Sequence, residues 1–326
     1  MDIKASIIII TYNQAESIGR AIESVLAQEC GFRYEIVIGD DGSTDGTRQM
    51  CERYASLYPD QVRLMPEAPN KGIVDNYFDC FASCRGKYIA DCAGDDTWCD
   101  VHRLHKQVDY LDAHPEDIAV ISDWEIDDGT GIRNTRDMPE YSKFRKNMSG
   151  EFIMHAVLST RGIFPLLSAM LYRRKHIADI LSKERTRLCR KEWGCEDVPL
   201  ITALGSLGNV GYVPVTAYRY SLAAGGISTV EDCGKLFDFY SKACGCVLDL
   251  CEIYGVPQDE VSEALRARLR YLGNLALKAY DSERVRQYRT LCRRVSKRGI
   301  KPWIYALLLD NDAGRNILRT IKCTDL

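Results

Sequence analysis

The run Ile38-Gly39-Asp40-Asp41-Gly42-Ser43-Thr44-Asp45-Gly46-Thr47 follows an apolar segment, Tyr34-Glu35-Ile36-Val37-Ile38, that reads as a buried strand. Adjacent carboxylates at the C-terminal end of such a strand repel one another and lose hydration, so the pattern points to something that binds them. A second pair, Asp95-Asp96, recurs after the strand-like stretch Lys87–Ala90. Two acidic pairs at one sheet edge suit a ligand that carries both a hydrogen-bond donor and a metal-bound phosphate.

Outward from that run the chain alternates between two periods. Ser6–Ile10 is a continuous apolar strand, and Ile18, Ile22, Val25 and Leu26 then fall at helical spacing. After Tyr34–Ile38 comes a second helical stripe, Met50, Tyr54 and Leu57, for which Ser43 or Thr44 offers an N-cap. Val62–Met65 reads as a strand, Val74–Cys84 as a helix, Lys87–Ala90 as a strand, Leu104–Leu111 as a helix and Ile118–Ser122 as a strand. This order predicts a Rossmann-like, mostly parallel α/β sheet flanked by helices, with ligands beyond the C-terminal strand ends. Thr11-Tyr12-Asn13, Asp40-Asp41 and Asp95-Asp96 all fall there. Further on, Asp123–Asn147 reads as a polar surface excursion and Ser168–Tyr172 as a strand. Glu196-Asp197 precedes an apolar helix, Val198–Leu204, and Pro214 separates strands Asn209–Val213 and Val215–Tyr220. Ala223-Ala224-Gly225-Gly226 reads as a break, beyond which the sequence is helical, with Val285, Tyr288, Leu291, Cys292 and Val295 on one stripe. The predicted domains are residues 1–230 and a helical C-terminal region, 231–326.

Composition narrows the class. The chain has 326 residues, 46% apolar and 27% charged, ordinary for a globular protein. No apolar run reaches the ~18 residues of a membrane-spanning helix. The start, Met1-Asp2-Ile3-Lys4-Ala5, lacks signal-peptide character, which predicts a cytoplasmic protein. Fourteen cysteines are scattered without a Cys-x-x-Cys pair, so buried free thiols are expected rather than a zinc site. Residues 235–326 carry a balance of +6 and residues 1–234 one of −9, an acidic body with a basic tail. Nothing in this pattern predicts a nucleic-acid partner.

Four motifs in order carry a family resemblance: Thr11-Tyr12-Asn13, Asp40-Asp41-Gly42-Ser43-Thr44-Asp45, Gly94-Asp95-Asp96-Thr97-Trp98 and Glu196-Asp197. Over roughly residues 5–225 the chain resembles glycosyltransferase family 2, inverting enzymes of the GT-A fold with nucleotide-sugar donors. Asp100–Val108 resembles the helix that follows the acidic motif in bacterial members. The resemblance implies a metal-dependent transferase that moves a sugar from a nucleotide diphosphate, UDP favoured, to a hydroxyl of a glycan or lipid-linked acceptor in surface-polysaccharide synthesis. Mg²⁺ or Mn²⁺ is the implied cofactor.

The residues fit that chemistry. A uracil N–H can donate to a carboxylate, which makes Asp41 the candidate reader, with Asp40 shaping the turn and Tyr12 against the base or ribose. The resemblance places Thr11 in the same pocket wall and Asn13 with it in the donor site, ordinary turn chemistry that starts the following helix being the alternative for Asn13, and Lys71 offers a cation toward the donor phosphates. Asp95 and Asp96 are hard oxygen ligands for the metal; Ala93 stands where many relatives have an acid, and Asp91 is not in register to replace it. Asp197 is the candidate general base, with Glu196 facing the acceptor. Asp41 to Glu52 mimics a calcium loop, but its preceding segment is a strand and position eight is Arg48.

Two rival readings are an inactive GT-A partner subunit and a nucleotidyltransferase. The second expects a Gly-rich basic loop where Thr11-Tyr12-Asn13-Gln14-Ala15-Glu16 stands. In the tail, Lys301–Leu309 with Ile317, Leu318, Ile321, Arg315, Arg319 and Lys322 suggests a basic amphipathic surface for peripheral membrane contact, a helical cap or a homodimer. Tyr218-Arg219-Tyr220 with Gly225-Gly226-Ile227-Ser228 resembles the family's closing strand and loop.

Overall fold

The computed structural model describes residues 2–159, 165–222, 232–279, 281–295, 300–309 and 313–316. The expected break at 223–226, the loop at 225–228 and the basic stretch at 317–322 lie outside the described residues. The described residues fall into two compact units. One holds residues 2–154, 165–191 and 195–222; the other holds 155–159, 192–194 and the helical residues from 232 on.

The first unit is built on one sheet. The first four strands to pair are β1 (Ala5–Thr11), β2 (Tyr34–Asp40), β3 (Val62–Leu64) and β4 (Tyr88–Ala93), parallel in the order β3-β2-β1-β4. They are apolar on both faces because helices cover both. Helix α1 (Ile18–Leu26) buries Ile18, Ala21, Ile22 and Val25, the spacing of one helical face. Helices α2 (Thr47–Leu57) and α3 (Ile73–Ser83) supply further crossovers. The α2 stripe differs from its expectation: Thr47, Cys51 and Tyr54 are buried, while Leu57 is exposed. Nor does Ser43 or Thr44 cap it. Gly46 takes that position at φ 101°, and Asp45 accepts from the Thr47 N–H at 3.0 Å.

Beyond β4 the sheet turns mixed. A short β5 (Thr97–Trp98) and helix α4 (Arg103–Ala113) lead to β6 (Asp117–Asp127). Strand β8 (Met170–Arg173) runs antiparallel between β4 and β6, and β9 (Asn209–Ser221) pairs parallel to β6. Pro214 does not split β9. The strand passes it with register shifts around Asp123, because a bulge absorbs the missing N–H. The predicted surface excursion is also more ordered than its polarity suggests. A hairpin with β7 (Ile132–Asn134) returns Arg136 and Arg145 to the buried Asp123 carboxylate, which also accepts from Tyr212 OH at 2.7 Å. Trp124 packs edge-on against Tyr141 at 5.1 Å between centroids. Charged side chains drawn inward by one buried acid hide this order from a hydropathy reading.

Helix α5 (Gly150–Leu158) starts against helix α7 (Asp197–Leu207) at a contact only glycine permits, and α6 (Arg174–Lys183) lies between them in sequence. A Cβ on Gly150 would stand 1.9 Å from the Gly205 carbonyl oxygen.

In the second unit, α8 (Cys233–Tyr254), α9 (Ser262–Lys278), α10 (Ser282–Arg294) and α11 (Ile300–Leu308) form a helical bundle. Asp232 and Asp281 cap α8 and α10 through backbone N–H groups, and Gly255 ends α8 in the left-handed region. The predicted stripe Val285, Tyr288, Leu291, Cys292 and Val295 is buried. Tyr305 on α11 and Leu309 just after it are buried, while Trp303 and Leu307 are exposed. No helix among the described residues is long and apolar enough to cross a membrane.

Under the sheet lies a polar knot. Asp91 on β4, 6% exposed, accepts from Tyr77 OH at 2.7 Å, and Tyr77 OH meets Tyr172 OH of β8 at 2.7 Å. The other Asp91 carboxylate oxygen is buried without a hydrogen-bond partner. Burial pushes this carboxyl up to about 7, against the Tyr77 hydrogen bond and the Arg103 charge. An unfolded Asp titrates near ~3.9. Between those values the folded chain keeps a proton that the unfolded chain releases. The stabilisation is therefore full below about pH 4 and lost as pH rises through about 7.

Two outcomes are expected. Asp91→Asn keeps an acceptor for Tyr77 and has no proton to release, so its urea midpoint should fall less than that of wild type from about pH 4 to about pH 7; parallel profiles would refute the assignment. Gly150→Ala should cost about 1–3 kcal/mol in urea unfolding, because the backbone it meets has nowhere to move.

Candidate active site

The ends of β1 and β2 sit side by side, with Thr11 opposite Asp40 in the ladder. The loops that leave them are stitched together. Asn13 adopts φ 52°, a left-handed conformation Asn tolerates, and its N–H donates to Ser43 Oγ at 2.9 Å. Its side-chain oxygen accepts from the Thr44 N–H at 2.8 Å. Gln14 N–H donates to Thr47 Oγ1 at 2.7 Å, and Ala15 N–H donates to Asp45 at 3.0 Å. Asp45 is thus committed to holding the loops, which removes the calcium-loop decoy. Tyr12, between these ties, stays 49% exposed.

Asp41, expected to face a base N–H, is engaged from its own side of the site. Its two oxygens accept from the Lys71 N–H at 2.9 Å and the Gly72 N–H at 3.0 Å. Gly42 at φ 75° makes room, since a Cβ there would stand 2.8 Å from the Asn70 nitrogen. Asp40 is less engaged, with one contact of 3.3 Å from the Ser43 N–H. The Lys71 ammonium, expected near phosphates, pairs with Asp79 at 2.8 Å. What Lys71 gives the site is its backbone N–H.

The acidic turn after β4 closes on the same edge. Gly94 is pressed against β1: a Cβ would stand 2.4 Å from Gln14 Oε1 and 2.7 Å from Thr11 Oγ1. Gln14 hydrogen-bonds to Asp95, yet burial outweighs that contact and raises the Asp95 carboxyl. A half-buried acid raised in this way is suited to a cation. Asp96 differs. It is 2% exposed, accepts from Tyr218 OH and takes the Ser221 N–H at 2.6 Å. The pair expected to share a metal is therefore unequal: Asp95 is open and Asp96 is occupied. Asp91 turns under the sheet to Tyr77 and does not replace the acid absent at Ala93.

Glu196 and Asp197 stand at the N-terminus of α7, where Asp197 accepts from its neighbour Val198 N–H at 2.7 Å. Burial raises both carboxyls, and Glu196 is raised further by the charges of Asp197 and Asp91. Tyr172 feels Glu196 in turn, so the start of α7 reaches the β4–β8 region. Thr11, Asn13, Asp40 and Asp41 thus gather through direct bonds and Asp95 joins them through Gln14, while Glu196 and Asp197 at the start of α7 are linked to Asp91 and Tyr172.

Sequence reasoning gave no role to Tyr77, Tyr172 or Arg103. Arg103 is fully buried, with its guanidinium 4.0 Å over the Trp98 ring. The i,i+4 pair Arg103 and Gln107 on an otherwise apolar helix face was the available signal. Among the described residues, His114, Glu116 and Asp117 form a group with metal-like spacing. It sits where β6 begins, at the sheet edge opposite the acidic turn.

Residues 6–181 match the description Glycosyl transferase family 2. A putative glycosyltransferase of Bacillus subtilis, EpsE, is 34% identical over 136 residues, 42% of this chain and 48% of that one. The succinoglycan biosynthesis protein ExoO of Rhizobium meliloti is 30% identical over 226 residues, 68% of this chain and 62% of that one. An uncharacterised Mycobacterium tuberculosis protein is 44% identical over 111 residues, 34% of this chain, which spans 32% of that relative's length. The fold is similar to S. aureus TarS in complex with UDP-GlcNAc, with a TM-score of 0.67 at 16% identity over 98% of this chain and 92% of that one. A family match over more than half of the chain, on a sheet with this topology, makes the protein a member of glycosyl transferase family 2 with the GT-A fold.

Proposed function

We propose that this enzyme transfers a sugar from a nucleotide diphosphate to an acceptor hydroxyl with inversion, with help from a divalent cation. The observation that carries this reading is the convergence of Tyr12, the Asp40-Asp41 pair and Asp95 on one sheet edge. Tyr12 offers an open ring for the base. The base N–H is taken by the acidic pair, where Asp40 has more free lone pairs and Asp41 holds the 71–72 loop in place. A UDP-sugar donor is favoured because TarS, the neighbour in fold, was crystallised with UDP-GlcNAc. Surface-polysaccharide synthesis is favoured by relatives named for succinoglycan and minor teichoic acid biosynthesis.

The residues present suit a metal through Asp95, a carboxylate that burial has left wanting a positive partner. A divalent cation held there would supply positive charge to the leaving diphosphate. Asp197 takes the proton of the acceptor hydroxyl as that oxygen forms its bond to the anomeric carbon and the bond to phosphate breaks. Its raised carboxyl is a stronger base than an exposed one, which suits that task. Glu196, whose carboxyl burial and the neighbouring acids raise, faces the acceptor side.

Donor hydrolysis across a panel of nucleotide sugars with Mn²⁺ should single out one donor; turnover of none would sink the reading. Asp197→Asn should lower kcat by roughly 10²–10⁴-fold with the fold intact. Tyr12→Ala should raise the donor KM about tenfold through lost stacking, with kcat little changed.

A further inference from the structure

Asp96 is adjacent to the open acid of the turn, yet its surroundings are those of a fastening. Its first oxygen accepts the N–H of Ser221, the last residue of β9, at 2.6 Å. Its second accepts from Tyr218 OH, and that same hydroxyl lies 3.4 Å from the Ala93 N–H. One phenol thus joins β4, the acidic turn and β9. Behind it, Trp98 and Tyr218 are partners across the β5–β9 ladder. The Arg103 guanidinium lies 4.0 Å from the Trp98 ring and 5.8 Å from the Tyr218 ring. Arg103 is held by Gln107 at 3.1 Å and by the carbonyls of Ser168 at 2.5 Å and Met170 at 3.3 Å, where β8 begins. Trp98 Nε1–H returns to the Asp91 carbonyl at 3.3 Å. All four side chains, Asp96, Tyr218, Trp98 and Arg103, are buried.

A six-coordinate cation needs an oxygen that it can approach together with phosphate and water. Asp96 has neither the exposure nor a spare oxygen for this; Asp95, beside it, is partly exposed. We propose that Asp96 is a latch rather than a metal ligand, and that Tyr218, seated on Arg103, is a positioning residue that sets the acidic turn through it. The latch ties the end of β9 to the turn, so Asp95 faces the donor only while β9 is docked. This inference rests on the donor-site reading above, and its test is chosen to separate the two.

The probes are Mn²⁺ followed by electron paramagnetic resonance, with and without UDP, and hydrogen exchange at the Ser221 amide in the full chain. Asp96→Ala and Tyr218→Phe should each weaken Mn²⁺·UDP binding about tenfold and speed Ser221 exchange by a similar factor, as loss of an orienting partner does. Asp96→Asn supplies an oxygen for the Ser221 N–H and an amide for the Tyr218 oxygen. It should therefore restore binding to within about threefold of wild type. Asp95→Asn should lose binding with Ser221 exchange unchanged. If Asp96→Asn loses Mn²⁺ as completely as Asp95→Asn while Ser221 stays protected, Asp96 is a ligand and the proposal falls. If wild type binds neither Mn²⁺ nor UDP, the donor-site reading fails on its own. Ser221 exchange then decides the latch: unaltered exchange in Asp96→Ala and Tyr218→Phe refutes it, and accelerated exchange upholds it.

Discussion

Carboxylates crowded onto one edge of a sheet repel one another, and the first unit is organised around how that repulsion is met. Backbone N–H groups answer most of it. Asp41 takes two from the 71–72 loop, Asp45 takes those of Ala15 and Thr47, Asp96 takes that of Ser221, and Asp197 takes that of Val198. An N–H bonded to an ionised acid is among the stronger hydrogen bonds available. Each anchored acid therefore fixes a loop as well as being fixed by it. Loops that would otherwise choose among many conformations converge because one carboxylate gathers each.

Chemistry is expected where burial raises an acid despite the hydrogen bonds it accepts. Asp95 is raised by burial against hydrogen bonds from its own N–H and from Gln14; Asp197 is raised by burial, and Glu196 by burial and by its acidic neighbours. A group whose charged form is disfavoured gains most from a cation, a phosphate-bound metal or a proton to transfer. Within each Asp-Asp pair the two acids differ: Asp41 and Asp96 fasten loops, while Asp40 is held by a longer contact and Asp95 is the more exposed of its pair.

Much of this was legible in the chain. The strand at 34–38, the parallel order of the first strands and the placement of Thr11, Asp40 and Asp95 at one edge follow from a change of period along the sequence. The tail's stripe through Val285, Tyr288 and Cys292 was legible for the same reason. What misled was local chemistry. Pro214 signalled a strand end, but a bulge carried β9 through it. Residues 123–147 looked solvent-facing because of their charge, yet Asp123 draws Arg136 and Arg145 inward. Lys71 looked like a free cation until Asp79, two turns along α3, claimed it.

The sequence by itself determined the alternation of strand and helix, the sheet edge on which the acids gather and the family to which they belong. Periodicity and motif order are properties of neighbours along the chain, and those need no fold to be read. Which member of each acidic pair is open was decided only by the tertiary structure. Asp95 and Asp96 are chemically identical neighbours in one turn. They differ because Tyr218 and Ser221, more than a hundred residues away, arrive beside one and not the other.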